Sequence, residues 1–535
     1  MSVSGTPVKK IKSSDIYPDL EKSDSYVFTS EPIRSWDRWH DGSYYHVYFK
    51  NRKTKDSVDI TKGVSFHVAT EFDETETISW GPESHHIYYV AYNQEEAFPL
   101  NDNPDIYKYN IHTGKTENLT FPNKGFDSEP RFSRNGILAY LQGTPGFLGS
   151  KRDIVVLHHD AKINLTTQWD GTVKDFIWAK RGDKLYFTAD INGTIQVFQV
   201  NYPVAPDSKP VVKQLSEGEH DITEIIAELN DQLIITLTTM NRAPELYSFH
   251  LKTKKFSAIT HINDTLYNKI KMPKTERRYV TTKDGKEMLV WVVYPPDFDA
   301  GKKYPVLLYA QGGPHVALSQ AYSFGYNFQL MASKGCIVVA PNRRGVPGFG
   351  VEWDDAVAGN WGDLAMQDYV SAIDDIAREP YVNRNRMGAV GASFGGYSIY
   401  WLAGNHDGRF RTLIAHSGIF NTRSYYGTTD GLHFLNYEMG GPYWSPKEDD
   451  IPTTFDEYNP INYVQNWDTP ILIIQGGRDY RVPLGQGLEA FQAAQLRGIK
   501  SRLLYQPNEG HWIGGSQNIA AWYREIFRWL EETLK

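Results

Sequence analysis

The sequence predicts a two-domain protein: an all-β N-terminal half built from repeated strand pairs, then a doubly wound, mostly parallel α/β sheet. From about residue 71 to 262, short strands rich in aromatic and β-branched residues alternate with polar turns. From about residue 275, apolar strands alternate with amphipathic helices, which is typical of parallel βαβ units. We therefore expect one domain over residues 1–274 and a second over residues 275–535.

The N-terminal half carries a loose repeat. Strand–turn–strand units occur at 78–93, 130–143, 176–190 and 224–240. The anchors Trp80, Phe132 and Trp178 are 52 and 46 residues apart, and four strands per roughly 40–50 residues is the period of a β-propeller blade. We expect a propeller of about four recognisable blades, short or incomplete, with a partial blade before residue 70 and an inserted segment, "SEPIRSWDRW", at 30–39. A β-sandwich is the minor alternative.

Composition excludes several classes of protein. The net charge of −8 and the lack of a Lys/Arg run argue against nucleic-acid binding. The single cysteine, Cys336, excludes an internal disulfide framework and a Cys-rich metal site. No phosphate-loop or zinc motif occurs, so no cofactor or metal is expected. The absence of a membrane-length apolar run or a signal-like start predicts a soluble protein, cytoplasmic as written, or periplasmic or secreted if the N-terminus is truncated.

A candidate nucleophile lies in "GAVGASFGGYSIYW", residues 388–401. Ser393 stands between Gly391 and Gly395 after an apolar run and before a helix-like run, which matches G-x-S-x-G. In an α/β-hydrolase this motif forms a sharp strand-to-helix turn that exposes the serine hydroxyl. A glycine-rich turn that merely contains a serine is the other interpretation, so the context has to decide.

Two further residues supply that context. Asp479 in "QGGRDYRVP" and His511 in "NEGHWIGG" each follow a predicted strand. A serine nucleophile needs a histidine base, and the histidine needs a carboxylate that fixes its tautomer. The chain order Ser393, Asp479, His511 is that of α/β-hydrolases. Taken singly, Asp479 is equally well interpreted as an acidic residue in a turn, and His511 as a histidine in a loop. Taken together with Ser393, they predict a catalytic triad.

A tetrahedral intermediate also needs hydrogen-bond donors for its oxyanion. One candidate is the backbone N–H of Phe394, the residue after the nucleophile. The other is the N–H of Gly313 in "YAQGGPH", with the Gln311 amide as an alternative donor. A plain Gly-Gly-Pro turn is the structural interpretation of the same residues.

The segments "QGGPH", "APNRRGVPGFG", "GASFGGYSIYWLAG", "GGRDYRV" and "NEGHW" together resemble the prolyl oligopeptidase family of serine peptidases, nearest to its dipeptidyl-peptidase 5 and acylaminoacyl peptidase branch. The resemblance implies a C-terminal α/β-hydrolase domain and an N-terminal β-propeller that restricts entry to short peptides. It implies the roles of nucleophile for Ser393, orienting acid for Asp479 and base for His511.

The resemblance also implies substrate contacts. Arg481 stands where relatives bind the P2 carbonyl, and Ile419, Tyr426 and Val482 align with residues around an apolar P1 side chain. Gln311 replaces the oxyanion tyrosine of the proline-cleaving dipeptidyl peptidases.

Those dipeptidyl peptidases hold the substrate amine with a Glu-Glu pair, which the segment at 30–39 lacks. Asp37 or Glu31 is the candidate counter-charge. The resulting hypothesis is a serine exopeptidase that releases dipeptides from the amino end of short peptides through an acyl-enzyme. An acylaminoacyl peptidase, a carboxylesterase and an inactive propeller-based binding protein remain alternatives. The partners expected are short peptides, without nucleic acid or membrane; a homodimer is left open.

Overall fold

The chain is seen in a computed structural model, which describes residues 2–7, 13–28, 33–39, 43–62, 78–92, 103–145, 151–158, 161–202, 209–444 and 453–534. Strands make up most of the regular structure before residue 260, and strands alternate with helices after residue 275. Within the described ranges, no helix is both long enough and apolar enough to cross a membrane.

Small antiparallel sheets fill the N-terminal part. The first strands are β1 Ser2–Pro7, β2 Arg34–Ser35, β3 Arg38–Trp39, β4 Ser43–Lys50 and β5 Ser57–Asp59. Four sheets of four strands follow, each with its strands in chain order. They are β6 Ile78–Trp80, β7 His86–Tyr92, β8 Pro104–Asn110 and β9 Thr116–Asn118; β10 Asp127–Phe132, β11 Leu138–Gly143, β12 Arg152–His158 and β13 Ala161–Asn164; β14 Val173–Trp178, β15 Lys184–Ile191, β16 Thr194–Asn201 and β17 Lys213–Gln214; β18 Asp221–Leu229, β19 Gln232–Thr239, β20 Arg242–His250 and β21 Phe256–Ala258.

Apolar side chains join each of these sheets to the next. Val90 of the first four-stranded sheet and Tyr140 of the second belong to one apolar cluster, and Leu141 of the second and Phe187 of the third belong to another. A further cluster joins the third sheet to the fourth. The strand–turn–strand units of the sequence repeat coincide with the first two strands of each sheet. The sheets therefore follow one another in space in the order of the chain.

One eight-stranded sheet organises the C-terminal part, in the order β22-β23-β25-β24-β26-β27-β28-β29. Its strands are β22 Thr275–Thr281, β23 Glu287–Val293, β24 Tyr304–Ala310, β25 Ile337–Pro341, β26 Val382–Ala392, β27 Thr412–His416, β28 Ile471–Gly476 and β29 Ser501–Gln506. The pairs β22–β23 and β23–β25 are antiparallel, and all the others are parallel. The expected mostly parallel sheet is confirmed.

Helices cover both faces of this sheet, and its strands β23, β24, β25 and β28 are almost continuously apolar. The helices are α1 Ser13–Ile16, α2 Asp264–Tyr267, α3 Phe328–Ala332, α4 Val351–Asp355, α5 Leu364–Ile376, α6 Phe394–Ala403, α7 Thr422–Tyr426, α8 Leu432–Glu438, α9 Leu484–Leu496 and α10 Ser516–Thr533, with 3₁₀ turns at Thr453–Phe455 and Pro460–Asn466. Helices α5, α6 and α9 share one apolar core, while α3 and α10 share the other.

A buried carboxylate connects the two parts of the chain. Asp221 of β18 accepts hydrogen bonds from the Ser319 hydroxyl at 2.6 Å and from the Gln320 N–H at 3.1 Å. Both partners lie in the connection that follows β24. The N-terminal sheets are therefore anchored near the carboxyl edge of the parallel strands, which is where α/β proteins place their sites.

Candidate active site

Ser393 occupies a strained turn between β26 and α6. Its backbone angles are φ 60° and ψ −123°, a region that non-glycine residues rarely adopt. Such strain persists only where the surroundings enforce it, and it clusters at functional sites. A Cβ atom on Gly395 would collide with the Ala310 carbonyl oxygen, and one on Gly391 would collide with the Gly395 carbonyl. Both flanking glycines are therefore required by close backbone approach.

Asp479 and His511 form a buried pair at the same edge of the sheet. His511 Nδ1 lies 2.9 Å from Asp479 Oδ2, and both side chains are almost fully buried. The carboxylate also accepts from the Val482 N–H at 2.8 Å and from the Gln475 amide at 3.3 Å. With Nδ1 donating to Asp479, the Nε2 atom of His511 is the one left to accept a proton.

The loop after β24 lies against the nucleophile. Strands β24 and β26 are adjacent and parallel, and Ala310 pairs with Gly391. A Cβ atom on Gly312 would lie 3.5 Å from Ser393 Cβ. Gly313 follows with φ +117°, where a side chain would be strained. Phe394 is the first residue of α6 and is fully buried. Both segments named for the oxyanion hole thus flank Ser393.

The residues named for substrate contacts lie in two environments. Arg481 Nε donates to Asp430 Oδ1 at 2.7 Å, and the Arg481 side chain is mostly buried. Val482, Ile419 and Tyr426 are buried in the apolar core that includes α6.

Trp36 approaches the site from the N-terminal part, a contact that the sequence does not predict. Its ring centre lies 5.7 Å from that of His511, and the Arg481 guanidinium carbon lies 4.4 Å from the Trp36 ring centre. The Trp36 N–H donates to Asp430 Oδ2 at 2.6 Å, and its carbonyl accepts from the Tyr480 N–H at 2.9 Å. The segment Arg34–Trp39 is thus tied to the loop that carries Arg481. The only sequence signal was the inserted, non-repeating character of residues 30–39.

Asp37, the next residue, also faces this region. A Cβ atom on Gly510, directly before His511, would lie 3.0 Å from Asp37 Cβ. The Asp37 side chain is half exposed and accepts from Arg38 Nε at 3.3 Å. Glu31, the other candidate counter-charge, lies outside the described residues.

His416 is a second histidine beside the site that sequence reasoning did not single out. Its carbonyl accepts from the Ser393 N–H at 2.9 Å, and its Nδ1 lies 3.2 Å from the Tyr326 hydroxyl. Burial, together with the nearby charge of His511, lowers the pKa of His416 to about 3. His416 is therefore neutral at physiological pH and adds no competing positive charge beside His511.

A group of possible metal ligands lies elsewhere, where Glu83, His85 and His86 bring three ligand atoms within 4.8 Å of one another. The Asn110 amide nitrogen faces His86 Nε2 at 3.1 Å, and Asn110 Oδ1 accepts from two backbone N–H groups. His86 therefore accepts at Nε2 and carries its proton on Nδ1, an arrangement that does not suit a metal ligand.

Comparisons with known proteins show which family the chain resembles. Residues 322–535 match the model of the prolyl oligopeptidase family. The chain is 36% identical over 533 residues to dipeptidyl-peptidase 5 of Porphyromonas gingivalis, covering 98% of this chain and 77% of the relative. It is 34% identical to dipeptidyl-peptidase 5 of Porphyromonas endodontalis, covering 98% of this chain and 76% of the relative.

Among solved structures, the acylaminoacyl peptidase of Pyrococcus horikoshii superposes with a TM-score of 0.80 at 21% identity, covering 100% of this chain and 79% of that one. At this identity the likeness shows the fold alone. The family is assigned by the sequence identity between this chain and the two Porphyromonas relatives, which extends over nearly the whole chain. The chain belongs to the prolyl oligopeptidase family of serine peptidases.

Proposed function

We propose that the protein is a serine exopeptidase that removes dipeptides from the amino end of short peptides with an apolar P1 residue. The observation that carries the proposal is the buried His511–Asp479 pair, 2.9 Å apart, at the sheet edge where Ser393 occupies its strained turn. The name shared by the two Porphyromonas relatives, dipeptidyl-peptidase 5, supports the dipeptide-releasing form of the reaction.

In the proposed mechanism, Ser393 Oγ attacks the carbonyl carbon of the second residue while His511 Nε2 takes the hydroxyl proton. Asp479 stabilises the resulting imidazolium without taking its proton. The N–H groups of Phe394 and Gly313 receive the oxyanion, with the Gln311 amide as the alternative donor. His511 then protonates the leaving amine. Water hydrolyses the acyl-enzyme with His511 again acting as base, which releases the dipeptide.

Recognition of the substrate's end falls to the segment that carries Trp36. Asp37 places a carboxylate beside the loop of His511, where it can pair with a free α-ammonium group. Arg481, held by Asp430 and stacked on Trp36, is the donor to the P2 carbonyl. Val482, Ile419 and Tyr426 define the apolar surroundings of P1.

We infer that the four-stranded sheets are consecutive blades of a β-propeller that screens the site. The blade-to-blade apolar clusters in chain order support this arrangement. The domain boundary is proposed at residues 274/275, because the eight-stranded sheet begins at Thr275.

The first test is labelling with a fluorophosphonate probe, followed by turnover of dipeptidyl substrates with free and acetylated amines. Ser393→Ala should abolish labelling, whereas Ser371→Ala, a matched change on α5, should not alter it. Turnover restricted to free amines supports the proposal. Turnover restricted to acetylated amines indicates an acylaminoacyl peptidase, and turnover of esters alone indicates a carboxylesterase. Unlabelled wild type would favour the binding-protein alternative.

A further inference from the structure

Arg343 is buried between the two segments proposed to form the oxyanion hole. It follows β25, and none of its surface is exposed. Its guanidinium carbon lies 4.4 Å from the centre of the Phe394 ring, and its Nη2 donates to the Pro314 carbonyl at 3.1 Å. Phe394 directly follows the nucleophile, and Pro314 directly follows Gly313. One side chain therefore contacts both arms of the proposed oxyanion hole.

A tyrosine extends this contact to the start of the loop. Arg343 Nε donates to the Tyr369 hydroxyl at 3.0 Å, and that hydroxyl donates to the Gln311 carbonyl at 3.5 Å. The loop is thus supported at Pro314 directly and at Gln311 through Tyr369. A Cβ atom on Gly345 would lie 2.7 Å from Arg343 Nη1, so the glycine leaves the room that the guanidinium occupies.

The charge of Arg343 has no carboxylate partner among the described residues. Its hydrogen bonds go to two carbonyl oxygens and a hydroxyl, whereas neighbouring Arg344 pairs with Asp284 and Asp368. Burying an unpaired cation is costly, so this arrangement is unfavourable for stability alone. A fixed positive charge in a low-dielectric site, however, favours the development of negative charge nearby.

We propose that Arg343 is a positioning residue for the oxyanion hole, holding Phe394 and the 311–314 loop in the relation that the tetrahedral intermediate requires. Its unneutralised charge adds to the stabilisation of that intermediate. The proposal deepens the proposed function and rests on it.

Arg343→Met is the test, with Arg343→Lys as the variant that keeps the charge. Removing a single oxyanion donor typically lowers kcat about 100- to 1000-fold. Because Arg343 acts through the placement of two donors, we expect kcat to fall about 10- to 100-fold in Arg343→Met, with KM within about twofold, and to fall less in Arg343→Lys. Tyr369→Phe should lower kcat about threefold. Tyr294→Phe, whose hydroxyl lies 3.1 Å from that of Tyr381, should leave kcat unchanged.

Inhibitor affinity separates positioning from a merely structural role. A peptidyl boronic acid forms a tetrahedral adduct on the serine, whereas the dipeptide product does not. Arg343→Met should weaken boronate binding by about the factor lost in kcat and leave product binding unchanged. Equal losses for both ligands, or unchanged kcat in folded Arg343→Met, would overturn the inference. If that variant does not fold, equal kcat in Tyr369→Phe and Tyr294→Phe would do so. Wild type that turns over no substrate would instead refute the proposed function.

Discussion

Replacing Asp479 with Asn isolates the role of the acid in the triad. The carboxylate accepts three donors: His511 Nδ1 and the Gln475 amide at Oδ2, and the Val482 N–H at Oδ1. An asparagine has only one acceptor oxygen. If that oxygen faces Val482, the amide N–H₂ faces His511 and forces Nδ1 to become the acceptor. The His511 proton then sits on Nε2, which can no longer accept a proton from Ser393.

The expected loss follows from this tautomer change. An Asp-to-Asn change in a Ser-His-Asp triad lowers kcat about 10⁴-fold, equivalent to about 5.4 kcal/mol at about 1.36 kcal/mol per decade. The assay is steady-state hydrolysis of a free-amine dipeptidyl substrate by wild type and Asp479→Asn. Asp468→Asn, a change at an exposed carboxylate, is the control and should retain full kcat. A loss below tenfold in folded Asp479→Asn would refute the assignment of Asp479.

Three further outcomes are expected. Trp36→Ala removes the ring stacked on Arg481 and should lower kcat/KM about tenfold; unchanged kinetics would contradict its place in the substrate site. Gly395→Ala should lower the free energy of unfolding, measured by urea titration, by more than about 3 kcal/mol, because the new Cβ atom collides with the Ala310 carbonyl. The control Gly485→Ala, which has open space around the new Cβ atom, should change the free energy of unfolding by no more than about 1 kcal/mol. Burial lowers the pKa of His315, but the hydrogen bonds that its two ring nitrogens donate to Asp354 and Glu438 outweigh it and raise the pKa to about 9. The stabilisation that protonated His315 provides is complete below pH 6.5 and is lost as the pH rises through 9. The free energy of unfolding should therefore fall by roughly 3 kcal/mol between these two pH values. An unfolding free energy that does not change over this range would contradict the raised pKa of His315.

The mostly parallel α/β part of the fold could be predicted because its strands and helices have recognisable local sequence patterns. The alternation of apolar strands with amphipathic helices after residue 275 corresponds in the structure to strands such as β24, β25 and β28 and to helices such as α5 and α10. Strand β27 is harder to recognise from the sequence. The "TLIAH" of β27 has five residues, of which three are apolar, and is too short for periodicity to separate a strand from a helix segment.

The residues of the candidate site also differ in whether a local sequence pattern indicates them. Ser393, Asp479 and His511 could be named as candidates from the sequence because strand ends, glycine spacing and chain order are local signals. Trp36 and Arg343 could not be named from the sequence, because their proposed roles rest on contacts between distant parts of the chain. Trp36 meets His511 across 475 residues of sequence, and Arg343 meets Phe394 only because β25 and β26 both flank β24. No local sequence pattern predicts contacts between residues that are so far apart in the chain.

The most direct test of the central claim is to identify the products released from one defined peptide. A hexapeptide with an apolar second residue is incubated with wild type and with Ser393→Ala. The products are then separated, and their masses are measured by mass spectrometry. The proposed function predicts that wild type releases the intact N-terminal dipeptide and a tetrapeptide, that acetylation of the amine stops the reaction, and that Ser393→Ala produces neither. Release of a single acetylated residue from the blocked peptide, with the free peptide left uncut, would contradict it.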